Sequence, residues 1–362
     1  MIIITNINAA VSAAQIWGFV WPIVIAILSF LFLIFIHELG HFLAAKAMGV
    51  RVNEFAIGFG PTLFRIKGKE TVYSFRAFPL GGYCAMEGEE EDSSDERAFC
   101  NKKPWRRLIV IVAGAFFNIL FGFLIVLLMV GMSPDQYFLS TTVGGFYENS
   151  VSESSGLENG DRIVEVNGRK VNIVMDLYYT FTNVPKDGEM DFVVIRNGEK
   201  KTLDDVRFAT QEFEGVNMIT IDFYVNRIEK GFGTYITTAA KTAISYTKII
   251  WWSLIDLVTG KYGISSMSGP VGVAAAMSDA VKRGLADFLP LIGLITINLG
   301  IMNLLPLPAV DGGKTFFILI EMIRRKPVPQ KYEAIIHGVG LVILLAFIVL
   351  ITFKDIWTLI SG

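Results

Sequence analysis

The sequence predicts an α-helical polytopic membrane protein: four transmembrane segments, a membrane-associated β-element, and one inserted extracytoplasmic domain of β-rich α+β type. Three observations lead there. The 362 residues are 52% hydrophobic and only 18% charged, whereas a soluble domain carries about 25% charged residues, and the mean hydropathy is +0.51. The apolar residues gather into four charge-free runs, each near the roughly 20 residues a spanning helix needs. Between the runs lie two stretches with strand-like alternation and turn residues. A net charge of −2 provides no basic field for nucleic acid, so the expected partner is the lipid bilayer, with no nucleic acid. The two cysteines, Cys84 and Cys100, make neither a disulfide framework nor a cysteine-type zinc site.

The elements follow in chain order. Residues 1–50 hold the first segment, with no charge from Met1 to Ile36; no Lys or Arg precedes the apolar run, so it does not read as a cleavable signal peptide. Residues 51–104 form the β-element and a loop. Thr71 to Phe75 alternates, Gly58, Gly60, Pro61, Gly68, Gly81 and Gly82 punctuate, and an acidic run from Glu87 to Glu96 follows. Residues 105–135 form the second segment. Residues 136–227 form the β-rich domain, where Ile163 to Val166 before Asn167-Gly168, and Phe192 to Ile195 before Asn197-Gly198, read as strands entering tight turns.

In residues 228–283, Thr234, Thr238, Lys241, Ser245 and Lys248 recur at helical spacing opposite apolar residues, with Trp251 and Trp252 as interface anchors. This predicts an amphipathic helix along the membrane surface; the alternative is a core helix of the soluble domain. Residues 284–326 hold the third segment, broken by Pro306 and Pro308. Non-helical backbone at membrane depth is tolerated only when buried in protein or lining a wet cavity, so the break hints at a site. Residues 327–362 hold the fourth segment. Lys102, Lys103, Arg106 and Arg107 before the second segment, and Arg324, Arg325, Lys326 and Lys331 before the fourth, belong on the cytoplasmic side. Both termini and the β-rich domain are then extracytoplasmic.

The chemistry begins at His37-Glu38-Leu39-Gly40-His41. Residues four apart share a helix face, so His37 and His41 can hold one metal ion together. Glu38 follows the first ligand, where its carboxylate can reach a water at the metal. The motif ends an apolar segment, where a carboxylate costs roughly 2.5 kcal/mol or more, and a structural reading would need partners for three polar side chains in one turn. A catalytic zinc takes a third protein ligand. Asp311, just after the broken segment, is the candidate; the alternative is a helix-capping aspartate. His337 is the runner-up, read rather as a hydrogen-bonded residue behind the ligands. Asn298 and Asn303 in the third segment serve either a substrate backbone or helix-to-helix contact, and Asn118 in the second serves packing. A metal transporter would also use intramembrane His and acidic residues, but internal repeats of membrane segments are not evident.

The chain resembles the site-2 protease family of intramembrane zinc metalloproteases, in the bacterial regulator-of-sigma-E protease branch. The likeness rests on His37 to His41 and the run Asn303 to Gly313. It extends to Gly58-Phe59-Gly60-Pro61, Pro79-Leu80-Gly81-Gly82-Tyr83 and Gly269-Pro270. Gly156-Leu157, Gly160-Asp161-Arg162-Ile163 and Val166-Asn167-Gly168 resemble a PDZ domain, and only one such domain fits. The resemblance implies Zn2+ held by His37, His41 and Asp311, Glu38 as catalytic base, and Asn298 and Asn303 against substrate. The β-element would pair with the substrate strand. Implied substrates are single-span membrane proteins already shortened by another protease, such as anti-sigma factors, and signal-peptide remnants, cut in a bacterial inner membrane. Val310 where leucine is usual, and Ser154-Ser155 where alanines are common, depart from the pattern.

Overall fold

The structure is a computed structural model that describes residues 13–361 apart from 90, 183, 214–215, 262 and 264–266. In chain order the elements are α1 (Ala13–Ala47), β1 (Val52–Lys67), β2 (Val72–Met86), α2 (Pro104–Met132), β3 (Tyr137–Phe146), α3 (Val151–Ser154), β4 (Arg162–Val166), β5 (Arg169–Lys170), α4 (Val174–Thr180), β6 (Glu189–Arg196), β7 (Glu199–Arg207), β8 (Thr210–Phe213), β9 (Val216–Ile219), β10 (Phe223–Glu229), α5 (Phe232–Val258), α6 (Pro270–Arg283), α7 (Leu285–Leu304), α8 (Asp311–Arg324) and α9 (Gln330–Ser361). They fall into two compact units, Met1–Gly122 with Ser265–Gly362, and Phe123–Ile264.

Among the described residues four helices are long and apolar enough to cross a membrane: Val20–Ala47, Pro104–Met132, Leu285–Leu304 and Lys331–Ser361. They coincide with the four charge-free runs. The third is shorter than its run, because prolines supply no backbone N–H and push the preceding residue out of the helical region. Leu305, before Pro306, is accordingly extended (φ −65°, ψ 141°), and the chain re-enters a helix only at Asp311. That second helix, α8, and the helix α6 are not evident in the sequence pattern. Proline at N1 starts α6, and Asp355 of α9 accepts the Gly272 N–H at 2.7 Å in its first turn.

Small residues let these helices approach closely, as in membrane interfaces generally. A Cβ on Gly40 of α1 would lie 2.5 Å from the Ala113 carbonyl of α2, and one on Gly300 of α7 would lie 2.7 Å from Ile119 of α2. Beside α1 stands the β1–β2 hairpin. Residues 54–57 are paired on both sides: Glu54 with Val72 and Ala85, Ile57 with Phe75 and Gly82. Its inner half packs Val52, Phe55, Cys84 and Met86 against Ala45, Val110 and Ile111. Its outer half leaves Phe59, Leu63, Phe64, Ile66 and Phe78 exposed, a contiguous apolar surface that marks a membrane or protein contact.

The second unit holds the sheet β10-β3-β4-β6-β7, with β5 on β4, around Val143, Leu157, Ile163, Phe192 and Phe208. Both expected Asn-Gly turns form with left-handed φ, 46° and 75° at Asn167-Gly168 and 53° and 85° at Asn197-Gly198. The expected helix over 232–260 forms as α5, but the polar residues the pattern turns towards water in part meet the β-rich domain. Ser245 and Lys248 reach the buried Asp176 at 3.0 and 2.8 Å. Arg169 forks onto Asp256 and stacks over Trp252 and Tyr179, and the Tyr179 hydroxyl donates to Asp256 at 3.0 Å. Phe232, Ile236, Ile244, Trp251, Ile255 and Val258 of α5 stay exposed.

Asp256 is almost wholly buried beside Arg169. Removing one member of a buried pair costs about 3–5 kcal/mol, whereas apolar replacement of both is often neutral. Arg169→Met is therefore expected to lower the thermal midpoint of this unit clearly, read by tryptophan fluorescence, and Arg169→Met with Asp256→Leu to recover most of it.

Candidate metal centre

Helical spacing in α1 sets the two imidazoles edge to face with ring centroids 4.7 Å apart and their Nε2 atoms 3.1 Å apart. Asp311, the first residue of α8, brings Oδ2 to 3.0 Å from His37 Nε2 and 3.1 Å from His41 Nε2. Its carboxylate turns to the imidazoles, and Val310 occupies the N-cap position, so the capping alternative is not the one adopted. Among the described residues this trio is the one group of three His, Cys, Asp or Glu placed to hold a metal ion.

One face of α2 orients both rings. The carbonyl of Val110 accepts a hydrogen bond from His41 Nδ1 at 2.9 Å. A carbonyl only accepts, so Nδ1 carries the proton and Nε2 of the neutral ring offers its lone pair. Two turns further on, the buried Asn118 amide lies 3.2 Å from His37 Nδ1, with Oδ1 lacking a partner among the described residues. The two ends of an amide have the same shape. With Oδ1 turned to the ring, His37 Nδ1–H donates to it and Nε2 is left bare, as in His41. Between these partners lies Gly114, where any Cβ would overlap His41 Nε2 and come 2.8 Å from His37 Cε1.

The donor set fits a tetrahedral divalent ion. Bonds of 2.0–2.1 Å to nitrogen and oxygen separate tetrahedral ligand atoms by about 3.3 Å, close to the 3.0–3.1 Å found here. Two bare imidazole nitrogens facing each other beside a carboxylate also have no proton to share, which a cation resolves. Cys84 also lines the cavity but is not one of the three donors that converge.

The three donors line a cavity of about 670 Å³ together with Glu38, Glu87, Glu89 and Lys314. Glu38 stands against β2, where a Cβ on Gly82 would lie 3.3 Å from its Cγ. Tyr83 to Met86 of β2 continue along the cavity wall. Lys314, one turn beyond Asp311, donates to Glu89 at 2.6 Å. Asn298 is exposed on α7 and Asn303 half-buried near its end, and neither lines this cavity. His337 is no member of the donor set; its Nδ1 accepts the Ala309 N–H at 3.0 Å. Asn118 is the partner that sequence reasoning assigned to packing. The signal for it was an amide in an apolar run, one helical turn after a glycine.

The model of peptidase family M50 matches residues 25–347, spanning both α1 and α8 and hence every donor. The chain belongs to peptidase family M50. The resemblance to site-2 proteases is thereby borne out. A protein of Clostridium acetobutylicum, described by inference as a zinc metalloprotease, is 38% identical over 338 residues, covering 92% of this peptidase and 97% of that protein. The regulator of sigma-W protease RasP of Bacillus subtilis is 28% identical over 421 residues, covering 93% of this peptidase and 99% of RasP. That alignment is longer than the 362-residue chain, so RasP carries inserted segments.

Gly114→Ala tests the cradle. The added methyl is expected to displace the imidazoles and abolish stoichiometric binding of a divalent ion, measured by metal analysis of the purified protein, while circular dichroism still reports the helices.

Proposed function

We propose that the chain is a zinc-dependent intramembrane protease that hydrolyses peptide bonds within transmembrane segments of single-span membrane proteins, in regulated intramembrane proteolysis. The observation that carries this reading is the convergence of His37, His41 and Asp311 with Glu38 in one polar cavity at the end of an apolar helix. Two imidazoles and a carboxylate suit zinc and leave a fourth position open, and relatives described as zinc metalloproteases agree with that choice. Zinc, when bound, acidifies water towards a pKa of ~7 and polarises the scissile carbonyl.

The remaining work falls to the chain's own residues. The Glu38 carboxylate takes one proton from the attacking water and passes it to the leaving amine nitrogen, so the water's oxygen joins the carbonyl carbon as the C–N bond breaks. A helical substrate keeps its carbonyls in its own hydrogen bonds and must unwind first. Tyr83 to Met86 supply an edge to which the extended segment adds as a strand. The PDZ-like second unit selects substrates already shortened elsewhere. The basic flanks favour both termini and that unit on the extracytoplasmic side, and the bacterial relatives support a bacterial inner (cell) membrane as the location. The sigma-W regulator among the relatives fits substrates of anti-sigma-factor type.

The test uses the purified full chain in detergent with model single-span substrates. Glu38→Gln is expected to keep one equivalent of zinc and to lose cleavage by roughly 10²–10⁴-fold, the usual worth of a general base. Unchanged cleavage in that variant removes the assignment of the base. Chelation is expected to abolish cleavage by the wild-type protein and added zinc to restore it; turnover that survives metal-free conditions contradicts the reading as a whole.

A further inference from the structure

His337 sits in the fourth long helix, apart from the donor set, yet it touches the chain on both sides of Asp311. Its Nδ1 accepts the N–H of Ala309, two residues before the aspartate. Its Cε1 lies where a Cβ on Gly313, two residues after the aspartate, would come within 2.9 Å. Its ring lies 5.8 Å from that of Phe317, on the same helix as Asp311.

The turn it grips is not one the chain adopts readily. Ala309 has φ +70°, a left-handed conformation that an L-residue with a Cβ holds only where its surroundings impose it. Pro306 and Pro308 remove two N–H groups from this stretch, leaving few internal hydrogen bonds to stabilise it. One helical turn beyond His337, Gly340 lets α9 approach Pro308 so closely that any Cβ there would overlap the proline ring. A backbone N–H can only donate, so Nδ1 is unprotonated and the neutral ring's proton is on Nε2. That Nε2 is buried with no hydrogen-bond partner among the described residues. The imidazole is thus poorly satisfied on its own account; among the described residues its one hydrogen bond goes to the turn.

We propose that His337 is a positioning residue for the metal centre: it locks the Leu305–Val310 turn in the conformation that delivers Asp311 to His37 and His41. The proposal rests on the donor set put forward above. It assigns to His337 an effect on metal affinity exerted through the backbone, with no contact to the metal.

The experiment measures zinc affinity by competition with a chromophoric chelator, and the thermal midpoint of the zinc-free protein, on the full chain in detergent. His337→Phe fills the space without an acceptor. His337→Gln carries its amide oxygen out to the Nε2 position, and His337→Asn places one where Nδ1 was. The Phe and Gln variants are expected to bind zinc about 10–100-fold more weakly, the usual worth of a residue behind a ligand, and the Asn variant to recover most of that loss, with similar zinc-free midpoints in all three. Wild-type affinity in the Phe and Gln variants overturns the proposal, as does an Asn variant as weak as they are. Should the Phe variant not fold, the contrast between Gln and Asn decides. Asp311→Ala separates the two levels. If it binds zinc like the wild type, the donor set itself is wrong; if it is weakened while His337→Phe and His337→Gln are not, only the role of His337 falls.

Discussion

The structure turns on bringing two imidazoles and a carboxylate together where the surrounding chain is apolar. His37 and His41 come from one helical turn, and Asp311 arrives from 270 residues further on. Ionisable groups are costly at such a place unless they are paired or bind a cation. The neighbouring elements read as answers to that cost. The Val110 carbonyl and the Asn118 amide fix the rings from behind, and Gly114 between them keeps the helix surface flat enough for the rings to stand against it. These three positions are four residues apart, so a single stripe of α2 serves both histidines.

Delivering Asp311 imposes the second constraint. An uninterrupted third helix from Leu285 would carry residue 311 some seven residues, or roughly 10 Å, beyond the observed helix end. The prolines prevent this by ending α7 at Leu304 and making a short turn from which α8 starts with the aspartate in its first position. Gly312 and Gly313 follow at once, and any Cβ on either would overlap or crowd the Leu305 and Leu307 carbonyls. The Asp-Gly-Gly run is therefore a packing requirement of the turn as well as a way to place a ligand. The same contact explains why α9 carries Gly340 opposite Pro308 and His337 opposite Ala309.

The parts legible in the sequence were those encoded locally. Charge-free runs gave the four long helices, the i, i+4 histidines gave a shared face, and Asn-Gly pairs gave the turns of the second sheet. An acid directly after a proline-broken segment was enough to single out Asp311, because so few acids lie near apolar runs. What stayed hidden depends on tertiary partners. Asn118 looks like any amide in a membrane helix until His37 is placed beside it. α6 is built mostly of small apolar residues with no long charge-free run to mark it, and it owes its start to a proline and to Asp355 from a distant helix. α5 shows how periodicity can be read correctly and its environment only in part: an amphipathic pattern locates two faces, but Ser245 and Lys248 lie on a polar face that packs against another polar surface.

The hairpin beside α1 joins these themes. Its inner half is core, its outer half exposed and apolar, and the change falls along the same two strands. Residues 54–57 are saturated on both sides, so the hairpin can add a strand only along its margins, and the margin Tyr83 to Met86 is the one that lines the cavity. Gly82 brings that margin into van der Waals range of Glu38; a larger residue there would push strand and helix apart. On the proposed reading, the distance between the base and an extended substrate is then set by the contact of α1 with β2. The same reading makes unwinding of the substrate and alignment of its scissile bond one event, because the proposed accepting edge is already fixed against the helix that carries the proposed base.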